Sequence, residues 1–147
     1  MAFSEKVWED EEVPFRLRDL QPSQFYISEK KLRDIRAWFD PSRLSGFSAI
    51  PVKMLDGVPV MTDGHTRAAA ALLAGLDSVP LVWDRDELDW DMYRRCVAEC
   101  RNRQVFSPED LICRIIPEEE YREKWDRWCD RMQAEVEKSR QEKKGNR

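Results

Sequence analysis

Apolar and polar residues first alternate at Val13, Phe15 and Leu17, with Pro14, Arg16 and Arg18 between them. A period of two predicts a half-buried strand over residues 13–20. Gln21-Pro-Ser-Gln then turns the chain. Ser28 reads as a helix N-cap, with Lys31 where a capping box would place Glu or Gln. Leu32, Ile35, Trp38 and Phe39 follow at helical spacing and predict one apolar face. Pro41 ends that helix, because it disfavours the helical conformation at Asp40. Residues 49–55 form a second apolar run, with Pro51 suited to a strand's start or an edge. Asp56-Gly57 predicts a hairpin turn and residues 58–61 the returning strand. An alanine- and leucine-rich helix is expected over residues 65–74, closed by Gly75. Residues 78–83 read as a further strand.

Beyond Trp83 the pattern becomes helical. Leu88, Trp90, Met92, Tyr93, Cys96, Val97 and Cys100 predict an amphipathic helix beginning near Asp89. Ser107-Pro-Glu-Asp-Leu is a helix start, with Ser as cap, Pro first and acids in the first turn. That helix is expected to end near Ile115. Pro117-Glu-Glu-Glu-Tyr opens a last long helix with an apolar stripe of Tyr121, Trp125, Trp128 and Met132. Such a stripe packs on the protein's own body or on a partner protein.

The order strand, helix, hairpin, helix, strand, then helices predicts an α+β fold with a C-terminal helical extension. The expected divisions are a flexible acidic arm (1–12), an α+β domain (13–84), a helical extension (85–138) and a charged tail (139–147). The chain has 147 residues and a formal charge of −4. That balance argues against a protein that coats nucleic acid by charge alone. Mean hydropathy is −0.71, so much of the chain faces water. The start is acidic without a long apolar run, and no segment approaches a membrane span, so a cytoplasmic protein without a secretory leader is expected. The four cysteines, Cys96, Cys100, Cys113 and Cys129, then read as buried thiols; their spacings do not form a zinc set.

The candidate chemistry lies between the hairpin and the alanine-rich helix, at Asp63-Gly64-His65-Thr66-Arg67. A strand that stops at glycine and feeds a helix start offers unpartnered N–H groups and the positive end of the helix dipole. Gly64 lets a ligand approach the backbone, Thr66 adds a hydroxyl, and Arg67 adds a planar fork for phosphate. His65, the only histidine, is a candidate donor, acid or base, and Asp63 a candidate metal ligand or base. The same residues also read as an ordinary turn, with Asp63 capping the helix and Arg67 solvated. The glycine spacings of a P-loop and of a dinucleotide fingerprint are both absent.

Gly64-His-Thr-Arg-Ala-Ala-Ala-Ala-Leu-Leu-Ala-Gly-Leu76, followed by Val79-Pro-Leu-Val82, resembles the second sequence box of the ParB/sulfiredoxin superfamily. In ParB partition proteins that box runs Gly-Glu-Arg-Arg, an aromatic, Arg-Ala-Ala, then Leu-Ala-Gly-Leu and Ile-Pro. Leu20-Gln-Pro-Ser-Gln resembles the family's first strand end, Leu32-Arg-Asp-Ile35 its first helix, and Ile50-Pro-Val52 its Pro-Ile-x-Val strand. The resemblance covers residues 13–84 in order. It implies a small mixed sheet with packed helices and a nucleotide- or phosphate-binding site at Gly64, His65, Thr66 and Arg67.

The departures shape the expected activity. The box's other arginine positions hold His65, Thr66 and Ala69, and the catalytic cysteine of sulfiredoxins is replaced by His65. Asp-Gly-His-x-Arg is similar to the box of free serine kinases, with Thr66 at their second histidine. Their additional glutamate would fall at Glu29 or, less well, Asp19. The resemblance therefore implies a nucleotide- or phosphate-binding protein acting as a ligand-gated adaptor linked to DNA partition or a mobile element. Its alternatives are a small-molecule phosphotransferase, with Asp63 and His65 catalytic, and a ParB-like nuclease. The implied cofactor is a nucleoside triphosphate with Mg²⁺. A protein partner is expected at the Tyr121, Trp125, Trp128 and Met132 stripe, and direct DNA binding is left open. Acids at the front of the last helix oppose its use as a DNA-recognition helix.

Overall fold

A computed structural model describes residues 12–145. The expected acidic arm, Glu12 excepted, and the last two residues lie outside them. Strand β1 (Ile27–Ser28) leads into helix α1 (Glu29–Trp38). Ser28 caps α1, its hydroxyl oxygen accepting from the Lys31 N–H at 3.2 Å. Strands β2 (Ile50–Leu55) and β3 (Val58–Met61) form the expected hairpin. Asp56 and Gly57 turn it with φ of 53° and 80°, a pair of left-handed residues that matches the twist of the flanking strands. Val52 stands opposite Met61 and Leu55 opposite Val58.

Helix α2 (His65–Leu73) then crosses over to β4 (Leu81–Trp83), which runs parallel to β2 on its other side. The sheet order is β3-β2-β4. Pro51 is the second residue of this central strand, so it sits at the strand's start and not on an edge.

The alanines of α2 explain its position. Ala68 and Ala71 pack into a core with Leu17, Leu20, Ile50 and Val52. Ala69 and Ala70 pack into a second core with Phe25, Ile27, Cys100 and Leu111. A helix buried between two cores needs small side chains on both sides, because the neighbouring backbone is close.

Helix α3 (Trp90–Asn102) starts at its Asp89 cap, which accepts from the Met92 N–H at 3.3 Å. A 3-10 turn (Pro108–Arg114) follows, then β5 (Ile115–Ile116), which pairs in parallel with β1. Helix α4 (Glu118–Tyr121), a π turn (Arg122–Asp126) and helix α5 (Arg127–Gly145) complete the chain without a break. The architecture is α+β, as the pattern predicts, with a long C-terminal helix.

Several elements differ from expectation. Residues 13–20 form no strand: an extended stretch enters a 3-10 turn at Leu17–Asp19. The Leu17 N–H goes to the Asp77 carbonyl at 3.1 Å and the Arg16 N–H to the Asp19 carboxylate at 2.9 Å, so no neighbouring strand is engaged. The alternation still sorts the side chains, with Leu17 buried and Val13 and Phe15 packed on the first core. Trp38 is exposed, because α1 ends there and the chain turns away. The helix expected after Ser107 is a 3-10 helix, whose three-residue turn stacks Pro108 and Leu111 on one buried side.

The boundary expected at residue 84 falls inside one packed unit, since Phe25 and Cys100 share a core and β1 pairs with β5. Residues 139–145, expected as part of a fraying tail, continue α5. Arg140 holds both carboxylate oxygens of Asp89, at 2.9 and 2.7 Å. Tyr121 and Met132 are buried, and Trp125 and Trp128 set their rings 4.9 and 5.0 Å from Phe25. Of the two courses expected for the apolar stripe, packing on the protein's own body is the one the structure shows. Cys96 and Cys100 are buried thiols; Cys129 is half-buried, and Cys113, contrary to expectation, is exposed.

Candidate functional site

Gly64 takes a left-handed conformation, φ 79°, and serves as N-cap of α2 with no side-chain cap bond. The first helical bond runs from the Ala68 N–H to the Gly64 carbonyl, at 2.9 Å. The N–H groups of His65, Thr66 and Arg67 thus have no helical acceptor. The Arg67 guanidinium folds back over this end. A Cβ on Gly64 would meet its Nη2 at 2.8 Å and Ile50 Cγ1 at 3.2 Å. Only glycine combines the required φ with that close approach. Arg67 Nη2 makes one long contact, 3.4 Å to the Ala49 carbonyl, and its Nε is buried without a partner.

Asp63 is exposed and its Oδ1 accepts from the Gly64 N–H at 2.8 Å, which leaves Oδ2 without a partner among the described residues. Thr66 is half-buried. His65 is 4% exposed, and its Nε2 accepts from the Ser23 N–H at 3.0 Å. The proton of the neutral ring therefore sits on Nδ1. Burial pushes its pKa down to about 4; the Asp63 charge opposes this and Arg67 adds to it. His65 is a neutral donor at physiological pH, which departs from the expectation of an acid or base titrating near neutrality.

Two cavities meet at the junction. One, of about 660 Å³, is lined by Pro51, Thr62, Asp63, Asp84, Asp86 and Tyr93. The other, of about 380 Å³, opens between the junction and helices α3 and α5 and includes Thr62, Asp63, His65, Tyr93 and Cys129. Tyr93 stands between them, its hydroxyl donating to the Thr62 carbonyl at 2.9 Å. Burial, with the charges of Asp63 and Asp84, pushes the Tyr93 pKa up to about 12. The Thr62 hydroxyl donates to Asp84 Oδ2 at 2.5 Å.

Asp63, Gly64, His65, Thr66 and Arg67 are thus brought together, but they face two ways. Arg67 lies against β2, while Asp63 and His65 face the cavities. Glu29 pairs with Arg33 at 3.2 Å and Asp19 with the Arg16 N–H, so neither joins Asp63. Sequence reasoning does not single out Ser23, Thr62 or Asp84 for the site. Ser23 reads only as part of a turn, yet it is buried with its hydroxyl donating to the Met61 carbonyl at 2.6 Å.

Among the described residues no group of three or more His, Cys, Asp or Glu side chains is placed to hold a metal ion. No family model matches the chain, and no curated protein matches it. Among solved structures it is similar to protein Atu1540 from Agrobacterium tumefaciens, with a TM-score of 0.39 and 15% identity. The match covers 70% of this chain and 60% of that one, so the chain spans about three fifths of that protein's length.

Proposed function

We propose that this protein binds a phosphate-bearing small molecule, in the first instance a nucleotide, at the amino end of α2. The observation that supports the reading is the buried, unpartnered Nε of Arg67, whose guanidinium lies against the Gly64 cap. A buried donor without an acceptor costs about 1–3 kcal/mol. An anion at the cap would draw the guanidinium outward to meet it, and would accept also from the free N–H groups of Thr66 and Arg67 at the positive end of the helix dipole. The ParB/sulfiredoxin-like order of sequence boxes agrees with this reading.

The residues fit Mg²⁺ only as an ion carried by the nucleotide. Asp63 Oδ2 is a single free carboxylate oxygen, and Mg²⁺ sites of that kind complete their shell with substrate phosphates and water. When bound, the ion would offset the repulsion between Asp63 and phosphate. The charge of Asp63, Asp84, Asp86 and Asp89, which line the two cavities and not the Arg67 side of the cap, argues against a nucleic-acid backbone running through those cavities. It favours a ligand-gated adaptor over a nuclease. A phosphotransferase is the second reading, because Asp63 and Asp84 line one cavity. Asp63 would be its base, with His65 as a neutral donor. Among the described residues no helix is long and apolar enough to cross a membrane; a cytoplasmic setting is part of the proposal.

Thermal-shift screening with CTP, ATP, ADP, GTP and inorganic tripolyphosphate, with and without Mg²⁺, tests the proposal. A ligand at 100 times its Kd should add about 2.7 kcal/mol to the folded state. Arg67→Ala should remove the shift. No shift at millimolar ligand would refute phosphate binding.

A further inference from the structure

The cavity of about 380 Å³ lies beside the α2 cap, where Asp63 and His65 line it and Arg67 does not, and it is walled by the C-terminal helices. Three features set it apart from a packing gap. First, His65 is more than nine-tenths buried, lines the cavity, and has its protonated Nδ1 without a hydrogen bond among the described residues. That nitrogen is reachable from the cavity rather than sealed in the core, so the acceptor it meets there is water or a ligand. Second, the wall is irregular at this point. Trp125 borders the cavity from within the π turn, a helix defect that is rare and concentrated at functional sites. Third, the lining is mixed: Met92, Met132 and Trp125 supply flat or soft apolar surface, and Gln24 and Gln133 supply amides.

Charge narrows the occupant. Among the described residues neither lysine nor arginine lines the cavity. Its two carboxylates differ, since Asp89 is held on both oxygens by Arg140 while Asp63 keeps Oδ2 free. That balance favours an uncharged group over an anionic one. A donor from His65 beside an acceptor from Asp63 matches a ligand edge with a ring nitrogen or carbonyl next to an N–H. Flat rings with that edge pack well against indole and thioether groups.

The geometry points to this cavity as the binding site for an uncharged heteroaromatic ring of the nucleobase type, read by His65 Nδ1–H and Asp63 and packed against Trp125. The assignment rests on the phosphate reading only in joining the ring and the phosphate into one ligand; the ring site stands on His65 by itself.

Isothermal titration with adenosine, guanosine, cytidine and uridine, with inorganic tripolyphosphate, and with the four triphosphates separates the two. At least one nucleoside should bind without phosphate, and its triphosphate should bind more tightly than either part. Binding of the nucleoside should shift the His65 Nδ1–H resonance. Cys129→Phe fills the cavity from a half-buried wall position and should weaken nucleoside binding at least tenfold while sparing tripolyphosphate. Gln133→Trp, at an exposed position on the rim, should do the same if Cys129→Phe fails to fold. Arg67→Ala should show the reverse. If tripolyphosphate binds and no nucleoside does, the ring site is wrong and the phosphate site stands. If a nucleoside binds and tripolyphosphate does not, the ring site stands alone. Nucleoside binding that neither filling variant weakens places the ligand elsewhere and overturns the assignment, and so does binding by neither class of probe.

Discussion

The backbone N–H of Ser23 donates to Nε2 of His65 across 3.0 Å, joining the segment before β1 to the first residue of α2. Both residues are buried. The bond requires a ring that accepts at Nε2, so protonation of that nitrogen breaks it. This single contact sets the tautomer of the only histidine in the chain.

It also makes a stability prediction. The folded pKa of His65 lies near 4, below the ordinary value of 6.5. Above pH 6.5 the ring is neutral in both folded and unfolded chains and stability is unaffected. As pH falls from 6.5 towards 4 the unfolded chain binds the proton first, and stability is lost, by about 3 kcal/mol in all. Urea unfolding at pH 7, 5.5 and 4.5 should show this loss. His65→Gln keeps an acceptor for Ser23 but does not titrate, so the difference between the two proteins should shrink as pH falls. A difference that is constant with pH would contradict the buried neutral ring.

Gly64 and Gly57 form a matched pair for a second prediction. Both have φ near 80°, but only Gly64 has neighbours where a Cβ would go. Gly57→Ala should cost about 1 kcal/mol, from the left-handed conformation alone. Gly64→Ala should cost more and should also displace the Arg67 guanidinium. Denaturation together with tripolyphosphate titration would check it: equal stability losses and unchanged anion binding would show that Arg67 does not depend on the glycine.

Thiol labelling at pH 8 should resolve the cysteines. Burial pushes Cys96 up to about 11, Cys129 up to about 12 and Cys100 further in the same direction. Cys113 is exposed. One thiol should react quickly with an aromatic disulfide reagent, and three should react slowly until denaturant is added. Cys113→Ser should abolish the fast phase.

The contact between Arg140 and Asp89 fastens α5 to the start of α3. Arg140→Ala should increase amide exchange over residues 137–145 while leaving β2 and β3 protected. Both partners are solvated, so high salt should loosen the unmodified helix in the same direction. Unchanged exchange would mean that Val136, buried one turn earlier, already sets the end of ordered helix.

Local signals carried much of this architecture. Asp56-Gly57, the Ser28 cap and the Gly75 stop are short-range effects, and each holds in the structure. Residues 13–20 misled because alternation reports which side chains are buried, not whether a neighbouring backbone is available for pairing. The candidate site was legible where it is continuous, from Asp63 to Arg67. Ser23, Tyr93 and Trp125 reach it through tertiary packing, and one sequence carries no trace of that. The direction of Arg67 was likewise invisible, since it depends on where Ile50 and Ala49 come to lie.

The pairing of β1 with β5 has a consequence for how the chain is made. Ile27 waits for Ile115, and Phe25 waits for Trp125 and Trp128, while the β2–β3 hairpin closes within a dozen residues. A nascent chain on the ribosome can therefore complete its hairpin early, yet Phe25 and Ile27 are only partly covered, by Leu32, Ala69 and Ala70 first, until the last quarter emerges. The time between those two events is when this protein is most vulnerable to aggregation and most in need of a chaperone.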